Sequence, residues 1–183
     1  MLGPTGVGIL YGKEELLNNM KPLNYGGGMN EFFESNKTFE YKELPLRIEA
    51  GTQNIAGVLG FRSAILYIMK IGMKNIEEYE SELRTYFINE LEKIDNVIIY
   101  NRNVKSGIIL FNIDGIFAED TSQYLNHYHI CIRAGNHCAK MVKDELKVKN
   151  TCRISLYFYN NKEEIDRFIE VMKGNKDIFK VIL

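Results

Sequence analysis

Cysteine is scarce in this chain: three in 183 residues, at positions 131, 138 and 152. The odd number and close spacing exclude a disulfide framework and point to reduced thiols. An excess of one charge is also lacking, since 23 Lys and Arg face 24 Asp and Glu. No global field therefore recruits nucleic acid or an acidic membrane surface. No apolar run approaches a membrane span, no internal repeat is visible, and the first residues lack a basic stretch followed by an apolar one. The expectation is a cytoplasmic protein.

What is present is the composition of a folded domain, 45% hydrophobic and 26% charged, long enough to bury a core. Residues 3–12 read as a glycine-rich turn feeding a short buried strand, with a brief helix from Glu14 to Met20. Gly26-Gly27-Gly28 opens a polar, aromatic stretch to Pro45, an extended loop or irregular hairpin. After Asn54, Ile55, Val58, Leu59, Ala64, Ile65, Ile68 and Met69 suit a well-buried helix ending near Gly72. Asn75 is placed as the cap of a second helix, whose apolar face runs from Ile76 through Leu83 and Phe87 to Ile94. Strands follow at 97–100, 107–113, 130–133 and 152–158, and helices at 120–129 and from Cys138 to Leu146. Asn161-Lys162-Glu163-Glu164 has the form of a capping box opening a last helix to about Met172. The fold class is α/β, an α+β two-layer domain with a largely antiparallel sheet at 54–183. Residues 1–53 look like the edge of a larger domain.

Cys138, in Arg133-Ala134-Gly135-Asn136-His137-Cys138-Ala139, has the surroundings of a nucleophile: a turn, an adjacent His137, and the first turn of a helix. The alternative is a small buried hydrophobe, which is the favoured reading for Cys131 and Cys152. A metal site from His129, Cys131, His137 and Cys138 matches no regular zinc spacing. Arg153 lies in an otherwise apolar strand, where a guanidinium needs either a bound carboxylate or phosphate or an internal ion pair. Gly51 and Thr52 precede a helix start, so they are either anion ligands or, in the case of Thr52 or Asn54, an ordinary N-cap.

Five runs in register resemble the Suf-type (group II) cysteine desulfurases of the class V aminotransferase superfamily, which are fold-type I enzymes dependent on pyridoxal phosphate. The runs are residues 3–11, 26–29, 47–54, 133–139, and 152–156 with Tyr159-Asn160. The resemblance implies that Cys138 takes sulfur from L-cysteine as a persulfide, leaving L-alanine, and that the sulfur supplies iron–sulfur cluster assembly. It implies that Arg153 clamps the substrate carboxylate and that Arg133 orients the loop or the substrate. Thr52, with Gly51 beside it, is matched to the residue reaching the cofactor phosphate across a homodimer interface. Asn136 stands where the family often has histidine.

The family's cofactor-binding lysine falls just before the Gly-Pro-x-Gly run, and no lysine of this sequence occupies that context. The resemblance thus implies the C-terminal small domain (54–183) with a remnant of the large cofactor-binding domain (1–53), inactive alone. The parent would be a cytoplasmic homodimer with a sulfur-acceptor or scaffold partner, no nucleic acid and no membrane. The alternatives are a selenocysteine lyase or other class V enzyme, or a stand-alone dimerisation or regulatory module.

Overall fold

The computed structural model describes residues 1–33 and 39–182. It divides into two compact units, Met1–Ile71 and Gly72–Leu183; the sequence places its domain boundary earlier, between residues 53 and 54. Among the described residues, no single helix is long and apolar enough to cross a membrane.

The first unit holds α1 (Glu14–Asn18), a hairpin of β1 (Asn30–Phe33) and β2 (Phe39–Tyr41), a 3-10 turn at Leu46–Ile48, and α2 (Ile55–Ile71). Residues 34–38, between the two strands, lie outside the described residues. The strand expected within residues 3–12 does not form: residues 7–13 have no regular structure, and Ile9, Leu10 and Tyr11 are exposed. A strand needs a ladder partner, and no described residue supplies one. The burial expected of α2 is also corrected. Its buried residues are Gly57 and Ile68, while Ile55, Val58, Leu59 and Met69 are exposed.

The second unit contains α3 (Met73–Leu91), β3 (Val97–Ile99), β4 (Ile108–Ile113), α4 (Ala118–His127) and β5 (Arg133–Gly135). It continues with α5 (Lys140–Leu146), β6 (Thr151–Ser155), α6 (Lys162–Lys173) and α7 (Ile178–Ile182). The sheet order is β3-β4-β6-β5, and every pairing is antiparallel. Period-two alternation turns Ile109, Phe111 and Ile113 of β4 into the core. There they meet Leu83, Phe87 and Leu91 of α3 and Ile165, Phe168 and Met172 of α6. Phe168 stands edge-on to Phe87, with ring centroids 4.9 Å apart, and edge-on to Phe111 at 6.0 Å.

Helix α3 starts at Met73 after Gly72, so Asn75 lies inside it and is not its cap. The capping box at Asn161 is present: its side chain accepts from Glu164 N, and the Glu164 carboxylate accepts from Asn161 N. Arg84 is buried on α3 and donates to the carbonyls of Asn101, Arg102, Ser106 and Ile108, which ties the loop before β4 to the helix. Desolvation lowers its pKa.

A candidate active site at the edge of the sheet

Strand β6 has two unlike faces. Cys152 and Ile154 point into the core; Thr151, Arg153 and Ser155 alternate with them and point away. The partner strand β5 pairs Arg133 with Arg153, Ala134 with Cys152 and Gly135 with Thr151. Directly opposed residues share a face, so the two arginines stand together on the side turned from the core.

Like charges opposed across a ladder repel, and a compensating carboxylate would ordinarily explain such a pair. Among the described residues neither guanidinium has one, and Arg153 Nε is buried with no hydrogen-bond partner. The internal ion pair open to Arg153 on sequence grounds is therefore not formed. An unsatisfied buried donor beside a second cation is a place for an anion, and a planar guanidinium fits a carboxylate best.

Cys138 follows β5 and is exposed. It is not in the first turn of a helix, as the sequence suggests, because α5 begins at Lys140 with Ala139 as its N-cap residue. Instead His137 and Cys138 both adopt left-handed backbone, with φ of 53° and 56°. Each such residue costs about 1–2 kcal/mol without a glycine's freedom, so the turn must be held by its surroundings. Arg133 Nη2 lies 3.8 Å from Cys138 Sγ and donates to it. His137 Nε2 lies 2.9 Å from the Thr151 carbonyl and 3.0 Å from its hydroxyl. Burial lowers the His137 pKa; the Thr151 backbone bond opposes that, and Arg153 and Arg133 reinforce it.

The other thiols differ from each other. Cys131 is exposed and lies just before β5, outside any strand, which corrects its expected place in the core. Cys152 is fully buried, donates to the Ala118 carbonyl, and is pushed up to about 12 mainly by desolvation. Among the described residues, no three His, Cys, Asp or Glu side chains converge to hold a metal.

In the first unit, Gly51 N donates to Gly27 O over 2.8 Å, joining the glycine triplet to the Gly51-Thr52 loop. Asn54 caps α2, accepting from Gly57 N at 3.0 Å. That leaves Thr52 exposed, with no described partner for its hydroxyl. An exposed hydroxyl in a glycine loop ahead of a helix fits one edge of a phosphate, as a contributor to a larger site. Pyridoxal phosphate meets that chemistry at Thr52 and Gly51, while the arginine pair fits the carboxylate of an amino acid.

This architecture has a family. A model of class-V aminotransferases matches residues 1–168, and the chain belongs to that family. More particularly, it is 39% identical over 181 residues to a probable cysteine desulfurase of Staphylococcus aureus (strain Mu50 / ATCC 700699), covering 98% of this chain and 44% of the relative. Its structure is similar to the apo cysteine desulfurase of Thermococcus onnurineus NA1, with a TM-score of 0.89, 35% identity, and coverage of 94% and 44% of the two chains. It is also similar to the Escherichia coli cysteine desulfurase CsdA in its S-sulfonic acid form, with a TM-score of 0.88, 31% identity, and coverage of 99% and 44%. The chain thus spans a little under half the length of these relatives, and its mixed α/β architecture is that of the matching part of fold-type I cysteine desulfurases.

The sequence singled out Cys138, Arg133 and Arg153, and the sheet brings those three together. Gly51 and Thr52 lie in the other unit. The sequence does not reveal the anchoring of His137 on Thr151. The two are fourteen positions apart, and the only local signal was a histidine beside the cysteine.

Proposed function

We propose that this chain is the C-terminal part of a Suf-type cysteine desulfurase dependent on pyridoxal phosphate. The observation that carries the reading is an exposed thiol set beside a pair of opposed arginines that lack any described carboxylate. Identity of 39% to a probable cysteine desulfurase supports it.

Arg153, with Arg133 across the ladder, binds the α-carboxylate of L-cysteine and turns the substrate sulfur toward Cys138. Cys138 attacks that sulfur as a thiolate, and an S–S bond forms as the substrate Cβ–S bond breaks. The electron pair of the broken bond stays with the substrate, which takes up a proton at Cβ and leaves as L-alanine. Cys138 keeps the sulfur as a persulfide. When bound, pyridoxal phosphate supplies the electron sink for this chemistry. Thr52 and Gly51 hold its phosphate, reaching across the interface of a homodimer. Exposure of Cys138 then leaves the sulfur open to an acceptor or scaffold protein for iron–sulfur cluster assembly in the cytoplasm.

In the complete enzyme, Cys138→Ser is expected to abolish alanine release from cysteine and the mass gain of one sulfur on this peptide. Cys131→Ser is expected to leave both unchanged. Alanine release at the wild-type rate from Cys138→Ser would sink the reading, and selenocysteine assayed alongside cysteine tests the lyase alternative. The 183 residues alone, lacking a lysine in the family's context, are expected to release no alanine and to lose added cofactor on gel filtration. A retained absorbance band near the visible edge would count against that.

A further inference from the structure

The left-handed turn at 137–138 is strained, it carries the reactive sulfur, and it hangs on a three-residue edge strand. Local bonds do little to fix it: Ala139 N donates to Asn136 O at 2.9 Å, which closes the turn on itself without tying it to the sheet. Among the described residues, one side chain of the 136–139 segment reaches the neighbouring strand β6, and it is His137.

The chemistry of that contact is defined. The Thr151 carbonyl only accepts, so His137 Nε2 carries the hydrogen and donates it, at 2.9 Å, with the Thr151 hydroxyl oxygen 3.0 Å away. Thr151 is itself buried and paired with Gly135, the last residue of β5 ahead of the turn. The anchor is rigid for a second reason. Asn112 Nδ2 donates to Asn150 O at 2.9 Å and Asn112 Oδ1 accepts from Cys152 N at 3.2 Å, bracketing Thr151 on both sides. The imidazole thus spans from a fixed strand to the residue directly before Cys138.

We infer that His137 is a positioning residue for Cys138: its Nε2–H, donated to Thr151, pins the left-handed turn so that Sγ sits beside Arg133. Only the catalytic consequence rests on Cys138 as the sulfur acceptor; the anchoring stands on geometry. His137 does not touch the sulfur in this role. It keeps Sγ in contact with the Arg133 guanidinium, which orients the thiol toward an incoming electrophile.

The test uses the three thiols of the full 183-residue chain as their own controls. Alkylation by iodoacetamide is followed peptide by peptide, taking the Cys138 rate relative to exposed Cys131, with buried Cys152 reporting on the fold. His137→Ala is expected to lower the ratio by about threefold or more, and His137→Gln, whose amide N–H reaches Thr151, to restore it to within about twofold. Arg133→Ala lowers the ratio in the same way, and the double variant falls no further than His137→Ala alone, because both act through one contact. A wild-type ratio in His137→Ala with Cys152 still protected overturns the proposal, as does a double variant equal to the product of the singles. If His137→Ala exposes Cys152, the decision passes to His137→Gln against His137→Asn, whose amide is too short; equal ratios then overturn it. These readouts need no turnover. Failure of the desulfurase reading shows separately, as alanine release by Cys138→Ser in the complete enzyme.

Discussion

Cys152 and Arg153 are neighbours in sequence with opposite fates, because successive strand residues face opposite sides of a sheet. The first is a core thiol held neutral by burial and the second a guanidinium turned from the core, its Nε buried and without a described hydrogen-bond partner. The thiol has a measurable consequence. Its pKa stands at about 12 in the folded chain against 9.0 for an ordinary thiol. Above about pH 9 the unfolded chain therefore loses this proton while the folded chain keeps it, and deprotonation favours unfolding. Stability is fully present below pH 9 and lost as pH rises toward 12, at up to about 1.4 kcal/mol per pH unit from this one group. Urea unfolding across that range is expected to fall less steeply in Cys152→Ala than in the parent, and equal slopes would contradict the assignment. The neighbour of Cys152, Arg153, is legible in the sequence only in part. A guanidinium in an apolar strand signals an unusual partner, but its pairing with Arg133 depends on register, which local sequence does not carry.

At the scale of elements, readings that depend on short-range pattern hold. The Asn161 capping box, the strand at β4 and the apolar face of α3 each arise from residues a few positions apart. Readings that depend on a distant neighbour do not. Cys131 looks like a strand residue by composition, yet β5 starts at Arg133. The start of α3 is a local exception: Asn75 is a good cap by type, while Gly72, with φ of 92°, already breaks the chain ahead of Met73. The join between β4 and the end of β6 shows how tight such distant contacts are. Leu156 N donates to Gly107 O at 2.8 Å, and a Cβ added at Gly107 would sit 2.3 Å from the Leu156 carbonyl oxygen. Backbone cannot yield as a flexible side chain does, so Gly107→Ala is expected to destabilise the second unit by about 1–3 kcal/mol, read as a lowered midpoint in thermal or urea unfolding. An unchanged midpoint would mean that the two segments part at little cost.

Across the described residues, buried apolar side chains concentrate in the second unit, from Ile76 to Ile178. In the first, Met29 and Ile68 are the buried hydrophobics among the described residues. The periodicity of α2 was readable as helix, yet its burial was not, since an apolar stripe does not say whether a neighbour is there to cover it. Sheet order has a further consequence. The thiol loop hangs from β5, which has a single ladder neighbour and three residues, whereas β4 is flanked on both sides. Edge segments open in small, sub-global fluctuations long before a central strand lets go. Backbone amides at 133–135 are expected to exchange with deuterium by such local opening, with little dependence on denaturant, and those at 109–113 only with global unfolding. Equal protection of the two strands would contradict this. On the proposed reading of Cys138 as the sulfur acceptor, its loop therefore belongs to the part of the sheet that opens first, while the core strand β4 stays closed.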